Sequence, residues 1–485
     1  MRVERGGVPI GTAPIFLALA LWLLGIAFVR PLSVDESQYV AATALAAKGL
    51  LPYRDFAYLQ TPLQPFIFAP LAWIFPGHLL IAMRVTNALL SLATIGFVHG
   101  AARRAGTSPR AALAAAAMLA SCQSFLWCAG VARNDVLPAA LMSLGLWFAT
   151  GNLELRTRLG AGVAFGLAAG VKISYAIPAA TVFLGGMWTS DPAGRRRTMA
   201  FAVGVAVGLL PTLIVAALAP RAFLAEAIIF PGTAPTEYYE SIGKGWRLGP
   251  ARFLQLLEAA AIGPALIAAI EVIRRGWKHR SWDDPVKRAM FAAALGGVVS
   301  AGLNKPFQIF YLLPALPPLF VLAALLLSRW ERRPRWVRGA WIAFIGVGLV
   351  PPAAWFVGAA SETTAPPPIE ARQKSEALDA ALRAHKVEGP VATLAGQYVD
   401  NVDPRFAAGP FVYRTKDFVS VKEAHDWHIV TQQQPGPLEQ SPPAAIVTGV
   451  YPDSQPEEEA ELAVRAKELG YRPAANAGGF TIWKR

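Results

Sequence analysis

The stretch GTAPIFLALALWLLGIAFVRPLSVDESQY, residues 11–39, decides the fold. The apolar run from Gly11 to Val29 is long enough to cross a bilayer as a helix. No small-residue cleavage site follows it, and Arg30-Pro31 is a poor one, so the run reads as an uncleaved first span rather than a signal peptide. Directly beyond it stand Asp35 and Glu36. Two adjacent carboxylates are thereby held at a membrane surface, on the far side of the first crossing.

Further apolar runs follow. They are Leu79 to Ala101, Ala111 to Cys128, Val136 to Thr150, Leu159 to Val171, Ile173 to Trp188 and Met199 to Ala219, then Phe253 to Ile273, Ala289 to Leu303, Ile309 to Ser328 and Gly339 to Gly358. With the first, these predict about 11 transmembrane helices. Composition agrees: 54% of the 485 residues are hydrophobic and 16% charged, against about 25% charged in soluble chains. Thr61 to Phe75 is apolar too, but it is short and carries Pro62, Pro65 and Pro70. It reads as interfacial or re-entrant. Cys122 and Cys128 lie within one apolar run, which argues against a structural disulfide or a metal site.

The net charge of +13 belongs to the topology and not to a nucleic-acid surface. With the leader (Arg2, Arg5) in the cytoplasm, the cytoplasmic connections hold Arg103, Arg104 and Arg110, then Arg156 and Arg158, Arg195-Arg196-Arg197, and the basic segments 274–288 and 329–338. The opposite connections hold few cations, as the positive-inside rule requires. Parity also demands a break at Lys172, where both flanking runs are short.

After Gly358 the composition becomes that of a soluble protein, beyond a Pro/Thr linker at Ser361 to Pro368. Helices are expected over Ile369 to His385 and Glu457 to Leu469, and strands over Val391 to Leu394, Ala444 to Thr448 and Phe480 to Trp483. The expected organisation is a membrane domain over residues 1–360, with a first outer loop at 30–78 carrying the active site, and a small C-terminal α/β soluble domain over 361–485 on the outer side.

The outer-side charges are few: Asp35, Glu36, Arg54, Asp55, Arg133, Asp135, Lys172 and Lys305, with Arg84 just inside the second span and Glu237, Glu240, Lys244 and Arg247 in the loop Pro220 to Arg252. A carboxylate with several cations on one membrane face suits group transfer from a phosphate-linked lipid. The carboxylate takes the acceptor's proton, and the cations hold the phosphate as it gains charge. Each residue also has a plain structural use. Asp35 and Glu36 suit a helix N-terminus, Arg54-Asp55 a local turn, and Arg133 and Asp135 the ends of neighbouring helices. Lys172 and Lys305 suit the interface, and Tyr311 an interfacial belt. His385, His425 and His428 lack metal-site spacing.

At these residues the chain resembles the GT-C superfamily of membrane glycosyltransferases that use lipid-phosphate sugars. It looks most like the family 39 type, relatives of protein O-mannosyltransferases and aminoarabinose transferases. The motifs are Asp35-Glu36-x-x-Tyr39, Gly49-x-x-Pro52-Tyr-Arg-Asp-Phe56, Met83-Arg-Val-Thr-Asn87, Arg133-Asn-Asp135, Gly170-Val-Lys172 and Phe310-Tyr-Leu-Leu-Pro314. The resemblance implies an inverting transfer, with Asp35 as base beside Glu36. Arg133, Lys172, Arg54, Arg84 and Lys305 would lie near the donor phosphate, and Tyr39, Asp55, Asp135 and Tyr311 near substrate. The donor would be a polyprenyl-phosphate (undecaprenyl) sugar and the acceptor an exported glycan, lipid or protein, in a bacterial inner membrane. No cofactor, metal or nucleic acid is implied. The segment Pro220 to Arg252 is expected to cover the site. The alternative is a transporter or flippase of lipid-linked glycan, which would carry charges near mid-membrane and inverted repeats.

Overall fold

A computed structural model describes residues 12–151, 154–188, 191–279, 283–326, 334–361, 365–409, 438–439, 441–449 and 456–485, with positions 411 and 422. The basic leader with Arg2 and Arg5, and His425 and His428, lie outside the described residues, as does the side chain of Glu237.

Over its described residues each expected span coincides with helix, two of them interrupted by a bend. The first is Ala13–Val29, and the second, Leu79–Arg104, is long and straight enough in composition to cross a bilayer. Among the described residues five helices meet that test by length and apolarity, and up to seven do so if bent pairs are joined. One bent pair, Pro109–Ala120 with Gln123–Ala129, turns by 68° at Ser121-Cys122. The other, Ala251–Ala261 with the helix from Ala265, turns by 96° at the Ile262-Gly263-Pro264 break. The remaining runs are shorter helices: Val136–Ala149, Leu155–Val171 and the 3-10 turn Ile173–Tyr175 leading into Ala176–Met187. The break at Lys172 is real, because its backbone is extended (φ −149°, ψ 117°) between two helical segments.

Three helices start on the same device. Ser108, Asp191 and Asp284 each precede a proline, and their side chains accept hydrogen bonds from backbone N–H groups of the first turn. A polar cap satisfies orphan donors, and proline at the first position has none to lose.

Helices Leu155–Val171 and Pro192–Leu218 pack backbone to backbone. Gly162, Gly166 and Gly170 repeat every fourth position and face Gly204, Gly208 and Thr212. A Cβ on Gly162 would run into the Phe201 carbonyl, and one on Gly204 into the Leu159 carbonyl. Small residues at this spacing let two membrane helices approach closely.

The loop 30–78 is built from two helices, Glu36–Ala47 and Leu63–Ile74. Gly49, at φ +85°, ends the first in the left-handed region that glycine favours. Beyond the last long helix, Arg335–Ser361, comes helix Pro367–Ala384 and a four-stranded sheet. Its strands are β1 (Val391–Thr393), β2 (Ala445–Thr448), β3 (Arg472–Ala477) and β4 (Phe480–Lys484), in the order β1-β2-β4-β3. β1 and β2 are parallel and the other pairs antiparallel. β3, absent from the sequence reading, is exposed along much of its length and lacks an apolar run. The sheet shares one hydrophobic core with the loop. Val391, Ile446 and Ile482 belong to the same buried cluster as Tyr39, Val40, Tyr53 and Phe56.

Candidate functional site

Asp35 and Glu36 are neighbours in sequence with opposite fates. Glu36 is wholly buried. Its Oε1 accepts from Arg84 Nε (2.8 Å) and from the Ala132 N–H (2.7 Å). Its Oε2 accepts from Arg84 Nη2 (2.7 Å) and the Ser33 N–H (2.8 Å). Arg84 in turn donates to the carbonyls of Ala27 (3.0 Å), Arg30 (2.9 Å) and Pro31 (3.2 Å), so every guanidinium N–H is used. This pair ties the end of the first helix to the second span and to residue 132. It leaves Glu36 no lone pair for a substrate and Arg84 no donor for a phosphate.

Asp35 keeps 29% of its side chain exposed. Its Oδ2 accepts from Arg133 Nη1, and Oδ1 has no partner among the described residues. Arg133 Nε donates to Asp135 Oδ2 (2.9 Å), and the other oxygen of Asp135 accepts from Lys172 Nζ. Asp35, Arg133, Asp135 and Lys172 thus form one chain of alternating charge across three loops. Burial opposes ionisation of Asp135, but Lys172 and Arg133 outweigh it and hold its carboxyl below the usual range. Arg133 and Lys172 also lie over the Phe310 ring, at 4.1 and 4.9 Å from its centroid. Each keeps donors that no group among the described residues takes.

The loop backbone behind this chain is fixed by amides. Asn87 donates to the carbonyls of Val131 (2.6 Å) and Arg133 (2.9 Å), and Asn134 reaches Gln60 (3.2 Å) and the Val171 carbonyl (3.3 Å).

A cavity of about 350 Å³ opens in front of Asp35, Arg133 and Lys172. Tyr39, Gln38, Gln60, Trp127, Phe310 and Tyr311 line it. The segment expected to cover the site does form one wall. It folds as a helical arm over 220–241, with a π-turn at Leu224–Ile229, and contributes Ala227, Phe230, Pro235, Tyr238 and Tyr239. The arm is fastened to the loop by Glu226, whose Oε2 accepts from the Tyr58 N–H at 2.7 Å in a fully buried position. Burial raises this carboxyl well above the ordinary range, and the one backbone bond offsets only part of that. Gln308 donates to the Tyr239 hydroxyl (3.2 Å).

Of the residues singled out from sequence, Asp35, Tyr39, Arg133, Lys172 and Tyr311 come together on this cavity, with Asp135 behind them. Arg54 and Asp55 do not. They pair with each other on the surface at 2.8 Å, and Asp55 also accepts from the Leu51 N–H. Lys305 is exposed, and its neighbours Asn304, Pro306 and Gln308 line the wall instead. Tyr238 and Tyr239, which the sequence offers in the loop Pro220 to Arg252, do reach the cavity. Gln38, Gln60 and Gln308 were missed: they are uncharged, scattered over three segments and left no local signal.

Among solved structures, ArnT from Cupriavidus metallidurans, bound to undecaprenyl phosphate, matches 98% of this chain and 98% of its own at 17% identity, TM-score 0.61. Its apo form matches 98% and 97% at 18% identity, TM-score 0.61. The Archaeoglobus fulgidus oligosaccharyltransferase matches 93% of this chain and 71% of its own at 12% identity, TM-score 0.50. At these identities the likeness is one of fold, the GT-C fold of multi-pass membrane proteins. No curated protein matches the sequence. The model of glycosyltransferase family 87 matches residues 58–306, half of the chain and the part that supplies Arg84, Arg133, Asp135, Lys172 and the arm. The chain belongs to glycosyltransferase family 87.

Proposed function

We propose that the protein moves a sugar from a polyprenyl-monophosphate carrier to an exported lipid, glycan or protein acceptor, with inversion, and that Asp35 is the general base. One observation carries the reading. A part-exposed carboxylate, Asp35, lines one cavity together with two cations, Arg133 and Lys172.

Arg133 and Lys172 hold the donor phosphate, while Asp135 fixes both cations from behind. As the bond between the sugar and the phosphate oxygen breaks, the phosphate gains charge, and these donors stabilise it. The acceptor hydroxyl forms the new bond to the same sugar carbon and gives its proton to Asp35 Oδ1. Asp35 Oδ2 stays on Arg133, which orients the base. The rings of Tyr39, Phe310, Tyr311 and Tyr239 frame the sugar and keep bulk water out. The ArnT structure of the same fold contains undecaprenyl phosphate, which favours a polyprenyl carrier here. The surplus of Lys and Arg on alternate connections supports a reading in which loop 30–78, the cavity and the C-terminal sheet lie on the outer side of a bacterial inner membrane, with the N-terminus in the cytoplasm.

The test is reconstitution of the purified chain with an undecaprenyl-phosphate sugar and a membrane extract as acceptor, reading the undecaprenyl phosphate released. Arg133→Gln and Lys172→Gln are each expected to lower kcat/KM by ~10- to 1,000-fold. Normal release by both variants would contradict the assignment of the phosphate site.

A further inference from the structure

A second cavity, of about 280 Å³, is walled by five helices: Val136–Ala149, Leu155–Val171, Ala176–Met187, Pro192–Leu218 and Pro285–Leu303. It shares no lining residue with the cavity in front of Asp35. Arg158, on its wall, stands near the start of the helix that Lys172 ends, so about 20 Å of helix lies between them. The cavity therefore opens among the basic connections read as cytoplasmic. Fully exposed Trp188, two residues beyond the lining residue Gly186, suits the level of a bilayer surface.

The cavity changes character with depth. Leu146, Phe165, Phe201 and Met290 are buried, and Phe165 meets Phe201 edge to face at 5.4 Å. Arg158, Arg197 and Arg288 are partly exposed and form a cationic rim. Two carboxylates share the wall. Asp191 is already engaged, since it accepts from the Ala193 and Gly194 N–H groups and from Arg197 Nη2, all at 3.0 Å. Asp283 is exposed and enters no ion pair among the described residues. Arg158 and Arg288 have no acidic partner and no side-chain hydrogen bond among the described residues. Arg158 Nε is buried and unsatisfied, and the charge that acts on this guanidinium is a like one, that of Arg197.

Unpaired guanidinium groups at the mouth of a cavity favour an anion that accepts several N–H bonds at once, as a phosphate does. A free phosphate gains nothing from the apolar depth. An amphiphile uses both parts, with its head on the arginines and a chain among the buried side chains. Leu184 and Met199, next to lining positions on two of the helices, are exposed, so apolar surface continues beyond the cavity.

We propose that this cavity binds an anionic phospholipid of the cytoplasmic leaflet, with Arg158 and Arg288 on its phosphate and Arg197 beside them. The site is separate from the transfer cavity and stands whether or not the transfer reaction is as described. The bound head group relieves the repulsion between Arg158 and Arg197 where five helices meet, so the lipid stabilises that end of the bundle.

The test is native mass spectrometry of the full chain in detergent, titrated with dioleoylphosphatidylglycerol, with dioleoylglycerol as the phosphate-free control and thermal unfolding read in parallel. The wild type is expected to retain phosphatidylglycerol in preference to dioleoylglycerol and to unfold at a higher temperature with it. Arg158→Gln/Arg288→Gln should bind one phosphatidylglycerol fewer, with affinity for it lowered ~10-fold or more, and should lose the thermal shift. Arg158→Lys/Arg288→Lys, which keeps the charge, should recover part of both. Arg196→Gln removes an equal charge from an exposed position off the cavity wall and should bind as the wild type does. Unchanged retention by the folded Arg158→Gln/Arg288→Gln variant would overturn the proposal. So would an equal loss in Arg196→Gln, which would mark diffuse surface charge, or equal retention of dioleoylglycerol. Displacement of the lipid by millimolar inorganic phosphate would also overturn it, because the site would then be one for the free ion.

Discussion

At the scale of the residue, the site separates two carboxylates that the sequence presents as a pair. Glu36 has its full complement of hydrogen bonds inside the fold, whereas Asp35 reaches the cavity. Glu36→Gln should leave the buried Arg84 charge uncompensated and cost ~3–5 kcal/mol. The measurement is thermal unfolding in detergent. The double variant Glu36→Gln/Arg84→Met should be less damaged than the sum of the single changes, since it removes both charges at once. That Asp35, Arg133 and Lys172 meet on one cavity was legible because each is a charge at the end of an apolar run, where a charge is costly and seldom accidental. The division of labour between Asp35 and Glu36 was not. It depends on Arg84 reaching back across the bundle to residues about fifty positions earlier, and on a backbone N–H at residue 132.

At the scale of the element, helices were legible from hydropathy and charge alternation, down to the break at Lys172. The bends at Ser121-Cys122 and Ile262-Pro264 were not, because apolarity runs through both. The glycine seam between Leu155–Val171 and Pro192–Leu218 was hidden in alanine- and glycine-rich runs, yet it fixes Lys172 at the end of the first of these helices. Gly166→Leu should push the Val205 carbonyl away and force the helices apart. Overpacking of this kind costs ~1–3 kcal/mol, and the shift of Lys172 should lower donor affinity as well. Unfolding temperature and lipid retention of the purified variant check both. The arm 220–241 is anchored by a carboxyl whose other oxygen, Glu226 Oε1, is buried without a partner among the described residues.

At the scale of the whole molecule, the C-terminal sheet is built onto loop 30–78. Gly409 sits at φ +60° with its α-carbon against the loop, and a Cβ there would come within 2.6 Å of Ser37 Oγ. A Cβ on Gly396 would meet Ala41 at 2.7 Å, and Lys48 Nζ donates to the Asp400 carbonyl at 2.8 Å. Gly409→Val should therefore displace the helix that begins at Asp35 and lower turnover by ~10- to 100-fold with phosphate-lipid binding intact, a split read by kinetics beside lipid retention. In the same region Asp379 is pushed up to about 6, chiefly by burial and further by Asp400, with Arg383 opposing. A raised carboxyl favours the folded state fully below its unfolded value, and that contribution is lost as pH rises through about 6. Asp379→Asn should raise stability at pH 7.5 by roughly 1 kcal/mol after solvent screening and leave it nearly unchanged at pH 4, as pH-dependent unfolding will show. The most direct measurement of the central claim is the turnover of Asp35→Asn on an undecaprenyl-phosphate sugar, with retention of the lipid read in parallel. A fall of ~100- to 10,000-fold in kcat with the lipid still retained is the predicted result; undiminished kcat in a folded variant would contradict Asp35 as the base.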